Sequence, residues 1–171
     1  PEAAAEYARV IQLAPAYLPA YNNLGNVLIE LGQLAAAEKT FTEVLAIAPA
    51  YLDALMNLGR LLGEQDRLGE AEAAYRRVVQ QLPGHLPALA RLAAVLAERG
   101  QAADAEATLR QALEMAPGRR ELHLQHALSL LPIVASTSEE ASSAPARFAS
   151  ALAACALDHH REDAGVGEPA A

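Results

Sequence analysis

The sequence predicts an all-α protein, a solenoid in which antiparallel helix hairpins stack on one another. The first observation is a regular period: Pro15, Pro49, Pro83 and Pro117 lie 34 residues apart. Proline has no amide hydrogen and its ring clashes with the preceding turn, so each one ends a helix at the same place in a repeat. A period of 34 residues accommodates two helices and their turns.

The second observation is apolar spacing inside the repeats. Counting from the third residue after each proline gives three complete repeats, 18–51, 52–85 and 86–119. In each, large apolar residues occupy positions 4, 7 and 11 of the first helix, and apolar residues occupy positions 24, 27 and 28 of the second. Spacings of three and four place these side chains on one stripe of a helix. Since no repeat can bury its own stripe, stability must come from stacking.

The third observation is a small residue at position 8 of each first helix and at position 20 of each second helix. In the first two repeats these are Gly25 with Ala37 and Gly59 with Ala71. We expect each pair to let two helix backbones approach closely where they cross.

The ends of the first helices follow a cap pattern. Gly32 and Gly100 fit the left-handed conformation that closes a helix, and Asp66 holds the same place in the middle repeat. Asp tolerates this conformation less well than Gly.

This pattern resembles the tetratricopeptide repeat family, closely over residues 1–119 and loosely over 120–131. The resemblance implies a right-handed solenoid that binds proteins or peptides on its concave face. It also implies the second helix of a truncated repeat at 1–17 and a degenerate half repeat from residue 120. An amphipathic pattern from Ala146 to Leu157 predicts a C-terminal capping helix, which completes the segment 120–158, and the polar, Gly-containing residues 159–171 predict a disordered tail.

The N-terminal helix has no partner helix in the sequence. Pro1 falls at repeat position 18, inside a second helix, and that helix's packing positions hold Ala3, Tyr7, Val10 and Ile11. We expect the chain to be part of a longer one, with a natural N-terminal cap as the alternative. The uncovered side of this helix is a candidate surface for homodimer formation.

A second resemblance concerns the amino-acid sequence of the first repeat and of the segment that follows the last repeat. The run from Tyr21 to Leu28 (YNNLGNVL) and the run from Leu130 to Ser136 (LLPIVAS) are similar to the repeat arm of bacterial protein O-GlcNAc transferases of the SPINDLY-like type. The resemblance implies the substrate-recruiting arm of such a glycosyltransferase. The family's catalytic domain follows this junction and is not in this chain, so we expect the chain itself not to be an enzyme.

Composition argues against several classes of partner. The net charge is −8, from 13 basic and 21 acidic residues, whereas a nucleic-acid binder needs a basic surface. No apolar run approaches the roughly 20 residues that span a bilayer, and no signal peptide is visible. A single cysteine, Cys155, fits a reducing compartment. These features predict a cytoplasmic protein that binds neither nucleic acid nor membrane.

The resemblance to the tetratricopeptide family implies which positions face the concave groove. An amide side chain both donates and accepts hydrogen bonds, so asparagines there would match a peptide backbone of any sequence. Asn23 and Asn57 share position 6, where the transferase family carries an asparagine ladder; the alternative is a merely solvated face. The predicted peptide-binding residues are Asn22, Asn23, Asn26, Glu30, Asn57, Arg60, Glu64, Arg91 and Glu98.

Two narrower ligand classes can be weighed from the same positions. Some tetratricopeptide domains clamp a C-terminal carboxylate with lysines and asparagines, but both lysines are missing here, so the charged donors are lost. Glu30, Glu64 and Glu98 recur at position 13 and would favour basic peptides by steering. The alternative for these glutamates is a solvated helix face.

Metal or catalytic chemistry has little support. His123 and His126 share a helix face, but a metal site needs three or four ligands and only Cys155, His159 or His160 could complete one. The alternative is a final helix that no longer needs apolar residues. No phosphate loop, nucleophile elbow or zinc-protease helix is present, so we predict no catalytic residue, no metal site and no cofactor.

Overall fold

The computed structural model describes residues 2–129, and all regular structure within them is helical, which confirms the predicted all-α fold class. The predicted capping helix, the predicted tail and Cys155 lie outside these residues. The eight helices of the described chain are α1 (Glu2–Leu13), α2 (Leu18–Glu30), α3 (Leu34–Ile47), α4 (Leu52–Glu64), α5 (Leu68–Gln81), α6 (Leu86–Glu98), α7 (Ala102–Met115) and α8 (Arg120–Ser129).

The chain forms two compact units, the first running from Pro1 to Ala88 and the second beginning at Leu89. In the first unit each helix packs on the next, from α1 through α5, and α2 also contacts α4. The first helices of successive repeats, α2 and α4, are therefore neighbours, as a stacked row of hairpins requires. The fully buried side chains of this unit include Phe41, Leu55 and Leu61.

The glycines at position 8 make room for an aromatic ring. A Cβ added to Gly25 would lie 2.5 Å from Cζ of Phe41, and one added to Gly59 would lie 2.8 Å from Cε1 of Tyr75. Both distances are too short for a real contact. The sequence-based expectation pairs each glycine with the alanine at position 20; the atoms that fill the space belong instead to the ring at position 24. Ala37 is fully buried, but it is not among the nearest atoms to Gly25.

The turns within the hairpins all close in the same way. One residue of each turn has a positive φ: 72° at Gly32, 60° at Asp66 and 74° at Gly100, as the cap pattern predicts. The next residue donates its amide hydrogen to the carbonyl five residues earlier, with N···O distances of 2.8–2.9 Å. This Schellman geometry satisfies carbonyls that the helix end leaves unpaired.

The turns at the prolines also share one geometry. Turns 14–17, 48–51, 82–85 and 116–119 are each closed by a bond from the fourth amide to the first carbonyl, 3.0–3.1 Å long. Several proline carbonyls in turn accept a side-chain donor. The Tyr21 hydroxyl lies 3.2 Å from the carbonyl oxygen of Pro15, and Arg77 Nη2 lies 2.7 Å from that of Pro49.

The second unit buries apolar side chains along α6 and α7, and α7 packs on α8. Leu89 and Leu96 of α6 are fully buried. At positions 8 and 24 this unit carries Ala93 and Leu109, which are 1% and 3% exposed. It therefore buries the same positions with a different pair of side chains.

Candidate functional site

Most of the predicted groove residues lie on α2 and α4, two helices of the first unit that contact each other. The first helix contributes Asn22, Asn23, Asn26 and Glu30, and the second contributes Asn57, Arg60 and Glu64. We call the surface formed by these seven residues the α2–α4 face.

The two remaining predicted residues, Arg91 and Glu98, lie on α6 in the second unit. Both are exposed to solvent.

Two asparagines of successive repeats are joined on the α2–α4 face. Asn57 Nδ2 donates a hydrogen bond of 2.8 Å to Oδ1 of Asn22, and both side chains are half-buried. The bond uses one of the two Asn57 donors and part of the acceptor capacity of Asn22. Sequence reasoning stresses Asn23 and Asn57 because they share position 6, whereas the structure links positions 5 and 6. Asn23 is exposed.

Asn26 lies one helical turn after Asn22 and presents an unsatisfied acceptor. Its Oδ1 is buried and has no hydrogen-bond partner within the described residues. Leaving a buried acceptor unpaired costs about 1–3 kcal/mol. A ligand N–H group would recover part of that free energy only if the Asn26 side chain turned toward solvent, because its oxygen has almost no exposed surface.

The charged members of the α2–α4 face differ in their pairing. Arg60 Nη1 lies 2.9 Å from Oε1 of Glu64, in an ion pair four residues apart on α4 with side chains 33% and 52% exposed. Such exposed helical pairs contribute only about 0.3–0.5 kcal/mol. Glu30 is exposed at the end of α2. The glutamates at position 13 therefore differ in local charge, because Arg60 offsets one of them.

Two tyrosines next to this face are not among the binding residues predicted from the sequence. Tyr17 and Tyr51 occupy position 34 and are the N-cap residues of α2 and α4, each at the end of the same tetrapeptide, Ala-Pro-Ala-Tyr. The pKa of Tyr51 is raised, first by partial burial and then by the charge of Asp53 and a side-chain hydrogen bond with it. Tyr17 lies close enough to raise the pKa further. The repeated tetrapeptide is the signal that could have identified them.

The histidines of α8 are engaged with protein groups. His123 Nε2 lies 2.6 Å from the carbonyl oxygen of Pro117, and His126 Nε2 lies 3.9 Å from Oε1 of Glu106. Among the described residues, no group of three or more His, Cys, Asp or Glu side chains is placed to hold a metal ion. No helix in the described part of the chain combines the length and apolar character needed to cross a bilayer.

Comparison with known protein families identifies the repeats. Two family models, both described as tetratricopeptide repeat, match the chain; one matches residues 1–51 and 22–85, and the other matches residues 62–128. A comparison with curated protein sequences finds no match.

Several solved structures share the fold. A crystal structure of MamA protein aligns with a TM-score of 0.79 at 14% identity, covering 98% of this chain and 87% of that one. A tetratricopeptide repeat protein from Parabacteroides merdae aligns with a TM-score of 0.70 at 21% identity, covering 74% and 50%. YrrB, described as a TPR protein with an unusual peptide-binding site, aligns with a TM-score of 0.67 at 18% identity, covering 92% and 84%. At sequence identities of 14–21%, these alignments show a shared fold and nothing more specific.

Proposed function

Because the chain belongs to the tetratricopeptide repeat family, we propose that it is a protein-interaction module that binds an extended peptide on the α2–α4 face. Proteins of this family mediate protein–protein interactions, and YrrB, a structural neighbour, has a peptide-binding site. The observation that carries the proposal is the Asn22–Asn57 amide pair with the unpaired Asn26 oxygen beside it.

The chemistry of the face suits a peptide backbone. Asn22 and Asn26 are four residues apart, so they lie on the same side of α2, and Asn22 is bonded to Asn57 of α4. Together the amides offer both donors and acceptors, which a peptide group requires. The bond between Asn22 and Asn57 holds both amides in place before a ligand arrives, which reduces the entropy lost on binding.

Charge narrows the class of peptide. The chain carries a net charge of −8, and Glu30 is exposed at the end of α2, whereas Arg60 offsets the charge of Glu64 on α4. A negative surface raises the association rate of cationic partners. The preferred ligand is therefore an extended peptide with basic residues.

The test is a binding measurement on a peptide selected from a displayed random library with the purified chain. Asn23→Ala combined with Asn57→Ala should weaken binding about tenfold, because each lost hydrogen bond contributes about 0.5–1.5 kcal/mol. The melting temperature should fall only slightly, because Asn23 is exposed and Asn57 gives up a single part-buried hydrogen bond, worth about 0.5–1.5 kcal/mol. Fluorescence anisotropy of the labelled peptide measures the affinity.

Gln80→Ala is the matched control, because Gln80 is an exposed amide on α5. It should leave the affinity unchanged. Wild-type affinity in the double variant would show that the amides do not hold the peptide.

A narrower form of the proposal is the substrate-recruiting arm of a protein O-GlcNAc transferase. It is supported by the amides at position 6 and by the resemblance of residues 21–28 to that arm. In that case the parent gene should encode a glycosyltransferase domain beyond this segment. An unrelated domain there would exclude the narrower form and leave peptide binding standing.

A second candidate function is self-association through α1, which has no buried residue. Val10 is 36% exposed and Leu13 is 80% exposed, whereas Val44, which holds the position of Val10 in the next repeat, is fully buried. Val10→Glu should then abolish a dimer detected by sedimentation over a concentration range. A monomer at every concentration would exclude this function.

A further inference from the structure

We propose that Tyr17, Tyr51 and Asp53 form a subsite for a positively charged side chain, preferably arginine, of the peptide bound on the α2–α4 face. This inference rests on the proposed function and specifies one contact of it. We call these three residues the tyrosine subsite.

The two tyrosines are presented by identical turns. Each follows Ala-Pro-Ala, and its amide donates to the first alanine's carbonyl at 3.0 Å. The turns begin helices α2 and α4, which contact each other. Successive repeats therefore place the two tyrosines at equivalent backbone positions of neighbouring helices.

The turn itself does not require tyrosine. The third and fourth turns close with the same bond, at 3.0 and 3.1 Å, but carry His85 and Arg119 at the equivalent place. His85 also caps its helix, because its Nδ1 accepts a hydrogen bond of 3.1 Å from the amide of Ala88. Tyr17 and Tyr51 make no side-chain cap bond. The tyrosines therefore lack the helix-capping hydrogen bond that His85 makes in the third turn. A residue that does not give the best local stability is expected at a functional position.

The rings and the carboxylate are accessible to a ligand. Tyr17 is 54% exposed, so packing does not explain it, whereas Tyr51 is half-buried against the core of the first unit. Asp53 is exposed in the first turn of α4, beside Tyr51. Asp53 and Asn57 are four residues apart, so the subsite adjoins the amide pair.

These groups select a cation. An aromatic face attracts a guanidinium or ammonium group, and a neighbouring carboxylate adds a charge-assisted hydrogen bond. The positive end of the α4 dipole would oppose a cation, but Asp53 in the first turn offsets it. Arginine is favoured over lysine because its planar group can stack on a ring and bond a carboxylate at once.

The experiment uses the full chain and four peptides of sequence Ac-Ser-Ala-Ser-Ala-X-Ala-Ser-Ala-Ser-NH2, with X as arginine, citrulline, glutamate or leucine. Citrulline has the shape of arginine without its charge. Affinities are measured by NMR titration, following the tyrosine ring signals. Arginine should bind about tenfold more tightly than citrulline, since the aromatic and carboxylate contacts each contribute about threefold.

Two variants localise the preference. Asp53→Asn should reduce the arginine-to-citrulline ratio about threefold. Tyr17→His should do the same at pH 8, where the imidazole is neutral. His is the residue that the third turn carries at this place, so the variant is expected to fold. Unchanged ratios in both variants would overturn the subsite.

The outcomes separate this inference from the proposed function. Equal binding of all four peptides, weakened by Asn57→Ala, would support the peptide-binding face and refute the tyrosine subsite. Binding of none of them would contradict both. An arginine preference that is lost in Asp53→Asn, together with affinities that Asn57→Ala leaves unchanged, would support the subsite and contradict the role of the amides.

Discussion

The first two hairpins and the α6–α7 region bury the same repeat positions with different chemistry. In the hairpins, position 8 is glycine and position 24 is an aromatic ring; in α6 and α7 they are alanine and leucine. All three position-24 residues are at most 3% exposed. The pairs are Gly25 with Phe41, Gly59 with Tyr75, and Ala93 with Leu109.

This difference indicates that the residue types at positions 8 and 24 depend on each other. A larger side chain at position 24 goes with no side chain at position 8, and a smaller one goes with a methyl group. Cores tolerate such exchanges when total volume is conserved. A family pattern that allows several residue types at each position therefore hides a constraint between positions.

The largest effect should come from adding bulk at Gly59. Even one carbon there would lie 2.8 Å from the Tyr75 ring, so Gly59→Leu should destabilise the first unit by about 3 kcal/mol or more. Urea unfolding measured by circular dichroism gives the free energy.

Gly63 supplies the matched control on the same helix, because a Cβ added there meets no atom within 4 Å. Gly63→Ala should stabilise the chain by about 0.5–1 kcal/mol through lower unfolded-state entropy. Equal effects at the two glycines would show that position 8 is not a packing contact.

The next effect tests the joint filling directly. Gly25→Ala should cost about 1–3 kcal/mol, because its Cβ would overlap the Phe41 ring. Adding Phe41→Leu converts the pair to the one found in α6 and α7. The double variant should be more stable than the sum of the single changes predicts, by about 1 kcal/mol or more. Additive losses in a double-mutant cycle would break the comparison.

A smaller difference lies at position 16, where the second hairpin carries Arg67 and the equivalent residues are Gln33 and Gln101. Arg67 Nη1 lies 2.7 Å from Oε2 of Glu38, and its Nε and Nη2 each lie 2.7 Å from an oxygen of Glu70. Arg67→Gln should lower Tm slightly, because two exposed bonds to Glu70 and one part-buried bond to Glu38 are lost. Salt screens such pairs, so the difference from wild type should shrink in about 1 M NaCl. A deficit that persists in salt would assign it to packing.

The smallest effect is a pH dependence of the same contact. The hydrogen bond from Arg67 lowers the pKa of Glu70 below its usual 4.5. The contribution is therefore complete above about pH 4.5 and is lost as pH falls through the folded-state value. Wild type should lose slightly more Tm than Arg67→Gln between pH 6 and pH 3. Parallel pH profiles would show that Glu70 is not involved.

The sequence predicts the helices and their caps well because both depend on local spacing. The period of the prolines and the left-handed residues at 32, 66 and 100 can be predicted directly from the sequence. The Asn22–Asn57 bond cannot, because it depends on the offset between successive first helices. The contact between Gly25 and the Phe41 ring could not be predicted either. Helical spacing shows which side chains share a face of one helix, but not which side chain of the next helix packs against a given residue. Tyr17 and Tyr51 could have been identified only from the recurrence of Ala-Pro-Ala-Tyr, because the period of the prolines does not indicate which residue ends each turn.

Two arginines of the second hairpin reach back to the first, Arg67 to the Glu38 carboxylate and Arg77 to the Pro49 carbonyl. In repeat proteins, cooperativity depends on how strongly each module is coupled to its neighbour. A module held by two such bridges, in addition to its apolar contacts, cannot peel away without losing them together. Helices α2 to α5 should consequently melt in one transition, and amide hydrogens across them should exchange with deuterium at similar rates.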